Sequence, residues 1–181
     1  VIDGQSVPVS DKIVSLFEPH VDIIRKGGRD TRYGHKVNLV TGRSTLILDI
    51  VVERGNPADS ARLVPMIERQ TELYSRPPRQ LAADGGYASK DNLQKAKDMG
   101  VRDVVFAKRK GIPIEDMASS RRVYQRLRKF RSNIEAQIGN LKNLFVAARI
   151  HRKGFDRFHA YVLSATVAYN LTALASLIPS S

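Results

Sequence analysis

The sequence contains no cysteine and no tryptophan, and only 4 of its 181 residues are histidine. Without cysteine the chain has no disulfide framework, no thiolate metal site and no thiol nucleophile. The histidines do not stand at ligand spacing, which argues against a histidine-based zinc site. The hydrophobic fraction is an ordinary 42%, so the composition favours a folded protein, and the length suits a single domain with one sizeable core.

Two stretches of the sequence, the N-terminus and residues 160–178, bear on secretion and on membrane insertion. The chain opens at Val1 without a basic and then apolar leader, so no secretion signal is predicted, and we expect that an N-terminal portion is missing. Residues 160–178 carry no charge, a length that raises the question of a membrane span. Their serine, threonine and asparagine side chains favour instead a helix packed across one face of a sheet.

The positive charge is concentrated in one segment. The formal net charge is +12, and residues 102–153 alone hold 14 basic and 4 acidic side chains. Arginine dominates the middle of this segment, and its planar guanidinium suits phosphate oxygens. A lysine-rich face kept for solubility is the alternative, but the pattern favours a polyanionic partner, most simply nucleic acid.

The hydrophobic pattern predicts an α/β fold with the order β-β-β-α-β-α-β followed by two long helices. Runs at 21–24, 35–40 and 45–53, with a polar loop at 25–33, predict a three-stranded antiparallel meander. Asp59 or Ser60 is expected to cap the first helix. The later elements are predicted as helices at 63–74, 89–99, 120–146 and 155–178 and strands at 80–84 and 101–107. The helix at 120–146 has an apolar stripe at Val123, Leu127, Phe130, Ile134, Ile138, Leu141 and Phe145.

Asp84 is the most informative carboxylate of the sequence. It ends a predicted strand and is followed by Gly85 and Gly86. The carboxyl end of a strand is where ligands bind in open α/β sheets, and the glycines permit close approach. An ordinary turn, in which the carboxylate accepts from backbone N–H groups, is the alternative.

Glu135 is the only acid between Asp116 and Asp156, in the most basic part of the chain. Arg131 precedes it by four residues and Lys142 follows it by seven, so the three share one helix face. A surface ion pair of Arg131 with Glu135 is the alternative. Two carboxylates from different elements beside many arginines indicate a Mg²⁺ site next to a phosphate-binding surface.

Three runs, GHKVNLVTGRSTLILDIVVERGNPADS, LAADGGYASKDN and FRSNIEAQIGNLK, resemble the DDE transposases of bacterial insertion sequences. The resemblance covers residues 10–175 and implies an RNase H-like fold, whose element order matches the predicted one. It implies that residues 1–181 form a single catalytic domain that lacks its N-terminal part. In this interpretation the chain acts in the bacterial cytoplasm, at the nucleoid.

The resemblance assigns roles to individual residues. Asp84 matches the second catalytic Asp and Glu135 the catalytic Glu. Arg131 and Lys142 match basic residues that contact transposon-end DNA, and Arg128 stands where the family has an aromatic residue, so that element of the pattern is broken.

The first catalytic Asp is assigned by placement in the fold. Asp22 fits a position on the first strand. Two alternatives stay open: the true residue lies upstream in a missing segment, or Asp49 of the third strand takes the role. His35, on the second predicted strand, could contact substrate, and a satisfied surface histidine is the alternative.

The resemblance implies metal-dependent cleavage and strand transfer of DNA ends. Two Mg²⁺ or Mn²⁺ ions would be held by Asp22, Asp84 and Glu135, and the partners would be transposon-end and target DNA, with a homodimer or higher assembly on DNA. A catalytically inactive remnant that only binds DNA, and a basic RNA-binding module without catalysis, are the alternatives.

Overall fold

The computed structural model describes residues 22–26, 30–141 and 154–177, and the side chains of 22–33 and of residue 133 are left out of the description. The fold is mixed α/β. In chain order the elements are β1 (Asp22–Lys26), β2 (Asp30–Gly34), β3 (Val37–Thr41), β4 (Ile47–Val52), a 3₁₀ turn (Asp59–Arg62), α1 (Leu63–Tyr74), β5 (Gln80–Ala83), a 3₁₀ turn (Gly85–Tyr87), α2 (Lys90–Asp98), β6 (Asp103–Phe106), α3 (Ile114–Met117), α4 (Arg121–Asn140) and α5 (Phe155–Ala175).

The described residues form two compact units. The first unit contains β1 to β4 and α5, and the second contains β5, β6 and α1 to α4. Each unit has its own sheet pairing.

The strands of the first unit pair as two antiparallel ladders. β1 pairs with β2 from Asp22 opposite Gly34 to Lys26 opposite Asp30, and β3 pairs with β4. The predicted polar loop over 25–33 is therefore wrong at Asp30–Gly34, which is a strand. Thr31 and Tyr33 have high β propensity, and a partner strand supplies backbone hydrogen bonds that a polar composition does not reveal. In the described ranges, two separate pairs stand where a three-stranded meander was predicted.

Helix α5 packs against β4 in the first unit. The amide of Asn170 donates from Nδ2 to the backbone oxygen of Ile47 and accepts at Oδ1 from its N–H, both at 2.9 Å. The buried side chains of the helix are Val162, Ala165, Thr166 and Tyr169. The prediction of a helix packed on a sheet is thus confirmed. Among the described residues, every helix is too short or too polar to be a candidate membrane span.

The second unit is built on the parallel pair β5–β6. The register runs from Gln80 opposite Asp103 to Ala83 opposite Phe106, with α2 in the crossover that a parallel pair requires. Strand β6 is buried along its whole length, and α4 packs against both strands. Every described member of the predicted α4 stripe, from Val123 to Leu141, is buried or half-buried, whereas Phe145 lies outside the described residues.

Serine side chains cap two helices of the second unit, α2 and α4. The Ser89 hydroxyl accepts from the Asn92 N–H at 3.0 Å, and the Ser120 hydroxyl accepts from the Val123 N–H at 3.3 Å. Helix α1 differs, because its N-cap is Arg62 and no side chain caps it. The predicted capping role of Asp59 or Ser60 is therefore wrong.

Candidate functional site

Asp84 lies at the carboxyl edge of the parallel pair in the second unit. It follows directly after β5, and the neighbouring chain continues the pairing there, since Ala107 N donates to Ala83 O at 3.0 Å. The Asp84 side chain is 67% exposed, and its Oδ1 accepts from the N–H of Gly85 at 2.6 Å. The carboxylate therefore makes the turn contact that the sequence analysis gave as the alternative, and it is also exposed at the end of β5, while its binding of a ligand stays a prediction.

Arg131 brings the two carboxylates together. Because α4 packs on β5 and β6, its middle passes the edge where Asp84 lies. The Nη2 atom of Arg131 is 3.6 Å from Asp84 Oδ1 and 2.5 Å from Glu135 Oε1. The two carboxylate oxygens are therefore separated by no more than the sum of these distances, although they come from elements about 50 residues apart in the chain.

The side chain of Arg131 is much less exposed to solvent than those of the two carboxylates. Arg131 is 23% exposed, whereas Asp84 and Glu135 are 67% and 68% exposed. The Arg131 side chain is thus largely covered by protein, whereas the two carboxylate side chains are mostly exposed to solvent. Oxygen donors of this kind are the ligands that Mg²⁺ prefers. In the described ranges, no group of three or more metal-ligating side chains is gathered at one point.

The sequence matches the family model of the transposase DDE domain over residues 1–171. The chain belongs to this family. No curated protein and no solved structure matches the sequence. The family consists of DNA phosphoryl-transfer enzymes, which bind DNA and generally use a divalent metal. Asp84, Arg131 and Glu135 lie within the residues that match this DDE transposase domain.

Hydrogen bonds from the Asn92 side chain hold the turn that follows Asp84 in place. This side chain is buried, and its Nδ2 donates to the backbone oxygens of Ser60 and Tyr87, both at 2.8 Å. One amide thereby joins the 3₁₀ turn at Asp59–Arg62 to the turn that follows Asp84. Through Asn92, the segment GNPADS of the transposase domain stabilises the turn in the segment ADGGY. No spacing rule in the sequence predicts this connection.

Gly86 lies against the carboxylate of Asp59, and its replacement tests how tightly this loop is packed. A Cβ at Gly86 would overlap Asp59 Oδ2 and lie 3.0 Å from Asp59 Cβ. We expect Gly86→Ala to lower the free energy of unfolding by about 1–2 kcal/mol, as overpacking does. Gly139→Ala is the matched control, because that Cβ meets nothing within 4 Å and alanine in a helix gains roughly 0.5–1 kcal/mol. Urea denaturation of both variants measures the difference, and equal stability would contradict the packing.

Lys108 is a site residue that the sequence analysis missed. A Cβ at Gly85 would be 3.0 Å from Lys108 Cβ, so the lysine stem lies across the glycine that follows Asp84. Lys108 is exposed and begins the run Lys108-Arg109-Lys110 directly after β6 and Ala107. The sequence signal for Lys108 is a cationic run that directly follows a strand. Because β6 is parallel to β5, the carboxyl ends of both strands lie at the same edge of the sheet.

Three further site residues were predicted from the sequence: Arg128, Lys142 and Asp22. Arg128 is exposed on α4, and its guanidinium carbon is 5.8 Å from the ring centroid of Tyr124. Lys142 lies outside the described residues. Asp22 is the first residue of β1 in the first unit, and its part in the site stays a prediction.

Two residues weighed in the sequence analysis have local contacts in the first unit. Asp49 Oδ1 accepts from the N–H of Ile50 at 2.9 Å within β4. The ring of His35 is half-buried and packs edge-on against Phe155 and Phe158 of α5, with centroids 5.0 Å apart in each case. His35 therefore has a packing role between the strands and the helix.

Proposed function

We propose that this chain is the RNase H-like catalytic domain of a DNA transposase that cleaves the ends of an insertion sequence and joins them to target DNA. The observation that supports the proposal most directly is the pair of exposed carboxylates, Asp84 and Glu135, which share the guanidinium of Arg131. The basic residues Lys108 and Arg131 lie beside them, and such cations suit a phosphodiester. The mixed α/β fold is consistent with this assignment.

The donor set fits a divalent metal. Asp84 and Glu135 would hold it, with Asp22 proposed as a third ligand, and hard oxygen donors match Mg²⁺ or Mn²⁺. A divalent ion held there would supply Lewis-acid activation of the attacking water or 3′-hydroxyl and stabilisation of negative charge on the leaving oxygen.

The side chains of the domain bind and orient the DNA. Lys108 and Arg131 hold phosphate oxygens next to the carboxylates, and Arg128 and Lys142 extend this contact along α4 and beyond it. The attacking group is water in the cleavage step and a DNA 3′-hydroxyl in strand transfer. The protein forms no covalent bond with DNA, in accord with a chain that lacks cysteine. We expect the transposase to act as a homodimer or higher assembly on paired ends.

The proposal is tested by incubating the full chain with duplexes that carry the DNA flanking its coding sequence. Strand cleavage and joining are expected in Mg²⁺ or Mn²⁺, and EDTA is expected to stop both reactions. A chain that binds these duplexes but cuts none of them in either metal contradicts the catalytic assignment and identifies a DNA-binding remnant. Preference for RNA over duplex DNA identifies an RNA-binding module instead.

Lys108→Gln is expected to weaken DNA binding by roughly threefold to tenfold and to reduce the salt dependence of binding by about one phosphate contact. The reason is the position of Lys108 beside Asp84. Lys95→Gln removes the same charge from α2, where the ammonium already pairs with Asp91 at 2.8 Å, and should change binding less. Fluorescence anisotropy at several salt concentrations measures both slopes. Equal losses in the two variants would remove Lys108 from the proposed interface.

A further inference from the structure

We infer that Arg131 is an internal cation of the carboxylate pair, one that holds Asp84 and Glu135 together without metal and competes with a divalent ion for them. The inference rests on the proposed function, because it concerns the same two carboxylates. It assigns Arg131 a second role besides contact with DNA phosphates.

The first support is geometric. Nη2 of Arg131 lies 2.5 Å from Glu135 Oε1 and 3.6 Å from Asp84 Oδ1, so a single nitrogen serves both acids. Arg131 and Glu135 stand four residues apart on α4, a spacing that places both side chains on one face. Asp84 reaches the same nitrogen from the end of β5.

The second support is the limited exposure of the Arg131 side chain. An ordinary surface ion pair joins two mobile side chains and contributes little. Here the Arg131 side chain is only 23% exposed, so the fold itself restrains the cation, while the carboxylates remain mostly accessible. A restrained cation next to two acids offsets their mutual repulsion whenever no other cation is present.

A competition follows from the signs of the charges. A divalent ion and a guanidinium are attracted to the same two carboxylates and repel each other. Metal binding at the pair therefore weakens the contacts of Arg131, whose planar donors then suit a phosphate oxygen of bound DNA. By reciprocity, a DNA phosphate that draws Arg131 away strengthens metal binding.

The inference predicts that Arg131→Gln binds Mn²⁺ more tightly than the wild-type chain in the absence of DNA, by about fivefold to tenfold, and binds DNA more weakly. A residue that served only to stabilise the helix would not shift these two affinities in opposite directions. Arg131→Lys, which keeps the charge but loses the planar fork, is expected to fall between the two. Isothermal titration with Mn²⁺ alone and anisotropy with a flanking duplex measure both affinities.

Two comparisons make the result decisive. Lys129→Gln removes the same formal charge two residues away on α4 and should leave Mn²⁺ affinity within about twofold of wild type. If Asp84→Asn and Glu135→Gln abolish Mn²⁺ binding but Arg131→Gln and Arg131→Lys bind Mn²⁺ no more tightly than wild type, the inference is overturned and the proposed site stands. If neither carboxylate variant changes Mn²⁺ binding, both the site and the inference are overturned.

Discussion

Asp84→Asn and Glu135→Gln are each expected to reduce metal-dependent DNA cleavage by at least about a thousandfold. Each change keeps the size of the side chain and removes the negative oxygen that a divalent ion requires. DNA affinity should be unchanged or slightly higher, because each variant loses one negative charge next to Lys108 and Arg131. Cleavage of a labelled flanking duplex, with anisotropy on the same samples, separates catalysis from binding.

The control for these variants is Asp116→Asn, which removes an exposed acid of α3 in the same unit. It is expected to cleave at the wild-type rate. Cleavage within tenfold of wild type by either carboxylate variant would show that the pair is not the catalytic centre. A loss of binding in parallel with cleavage would indicate a folding defect, which thermal denaturation of the same preparations detects.

The sequence predicted the parts of this site that depend on local pattern. The position of Asp84 at a strand end follows from an apolar run that stops at two glycines. The helical periodicity places Arg131 and Glu135, four residues apart, on the same face of the helix. Their meeting with Asp84 was expected from two carboxylates in an arginine-rich chain and from the resemblance to transposases, and neither is a local pattern. It depends on the packing of α4 on β5 and β6, a tertiary contact that periodicity does not specify.

The parts that were missed depend on contacts with other segments of the chain. β2 is polar and becomes a strand by pairing with β1. Asp59 looked like a helix cap because it follows Asn56 and Pro57, yet it lies against Gly86. No motif or spacing in the sequence singles out Asn92, yet it is buried and joins two turns. In each case a local rule gave way to a contact with another segment, 4 to 12 residues away for β1 with β2 and about 30 residues away for the other two.

A large effect on stability is expected at Asp103, which is completely buried at the start of β6. Its Oδ1 accepts from the N–H of Ser119 and its Oδ2 from Nε2 of Gln80, both at 2.7 Å. Gln80 in turn accepts from Arg126 of α4 at 3.0 Å. Asp103→Ala would remove the acceptor of both hydrogen bonds at a completely buried position, and we expect the free energy of unfolding to fall by about 3 kcal/mol in urea denaturation.

The same carboxylate predicts a dependence of stability on pH. Burial acts to raise the pKa of Asp103, but hydrogen bonds from Ser119 and Gln80, with the nearby charge of Arg102, outweigh it and lower the pKa below the ordinary 3.8. Because the folded state holds the proton less tightly than the unfolded state, this stabilisation is complete above the unfolded pKa. It is lost as the pH falls through the lowered pKa of the folded state.

Asp103→Asn isolates this contribution, because the amide keeps the shape but cannot titrate. The variant is expected to be less stable than wild type at neutral pH, and the difference should shrink as the pH is lowered below about 4. Asp91→Asn is the control, since Asp91 is an exposed partner of Lys95 on α2 and should shift stability by less than about 0.5 kcal/mol. A constant difference between Asp103→Asn and wild type across the acid range would mean that Asp103 has an ordinary pKa. The hydrogen bonds that join β6 to β5 and to the start of α4 would then stabilise the fold without favouring the charged carboxylate.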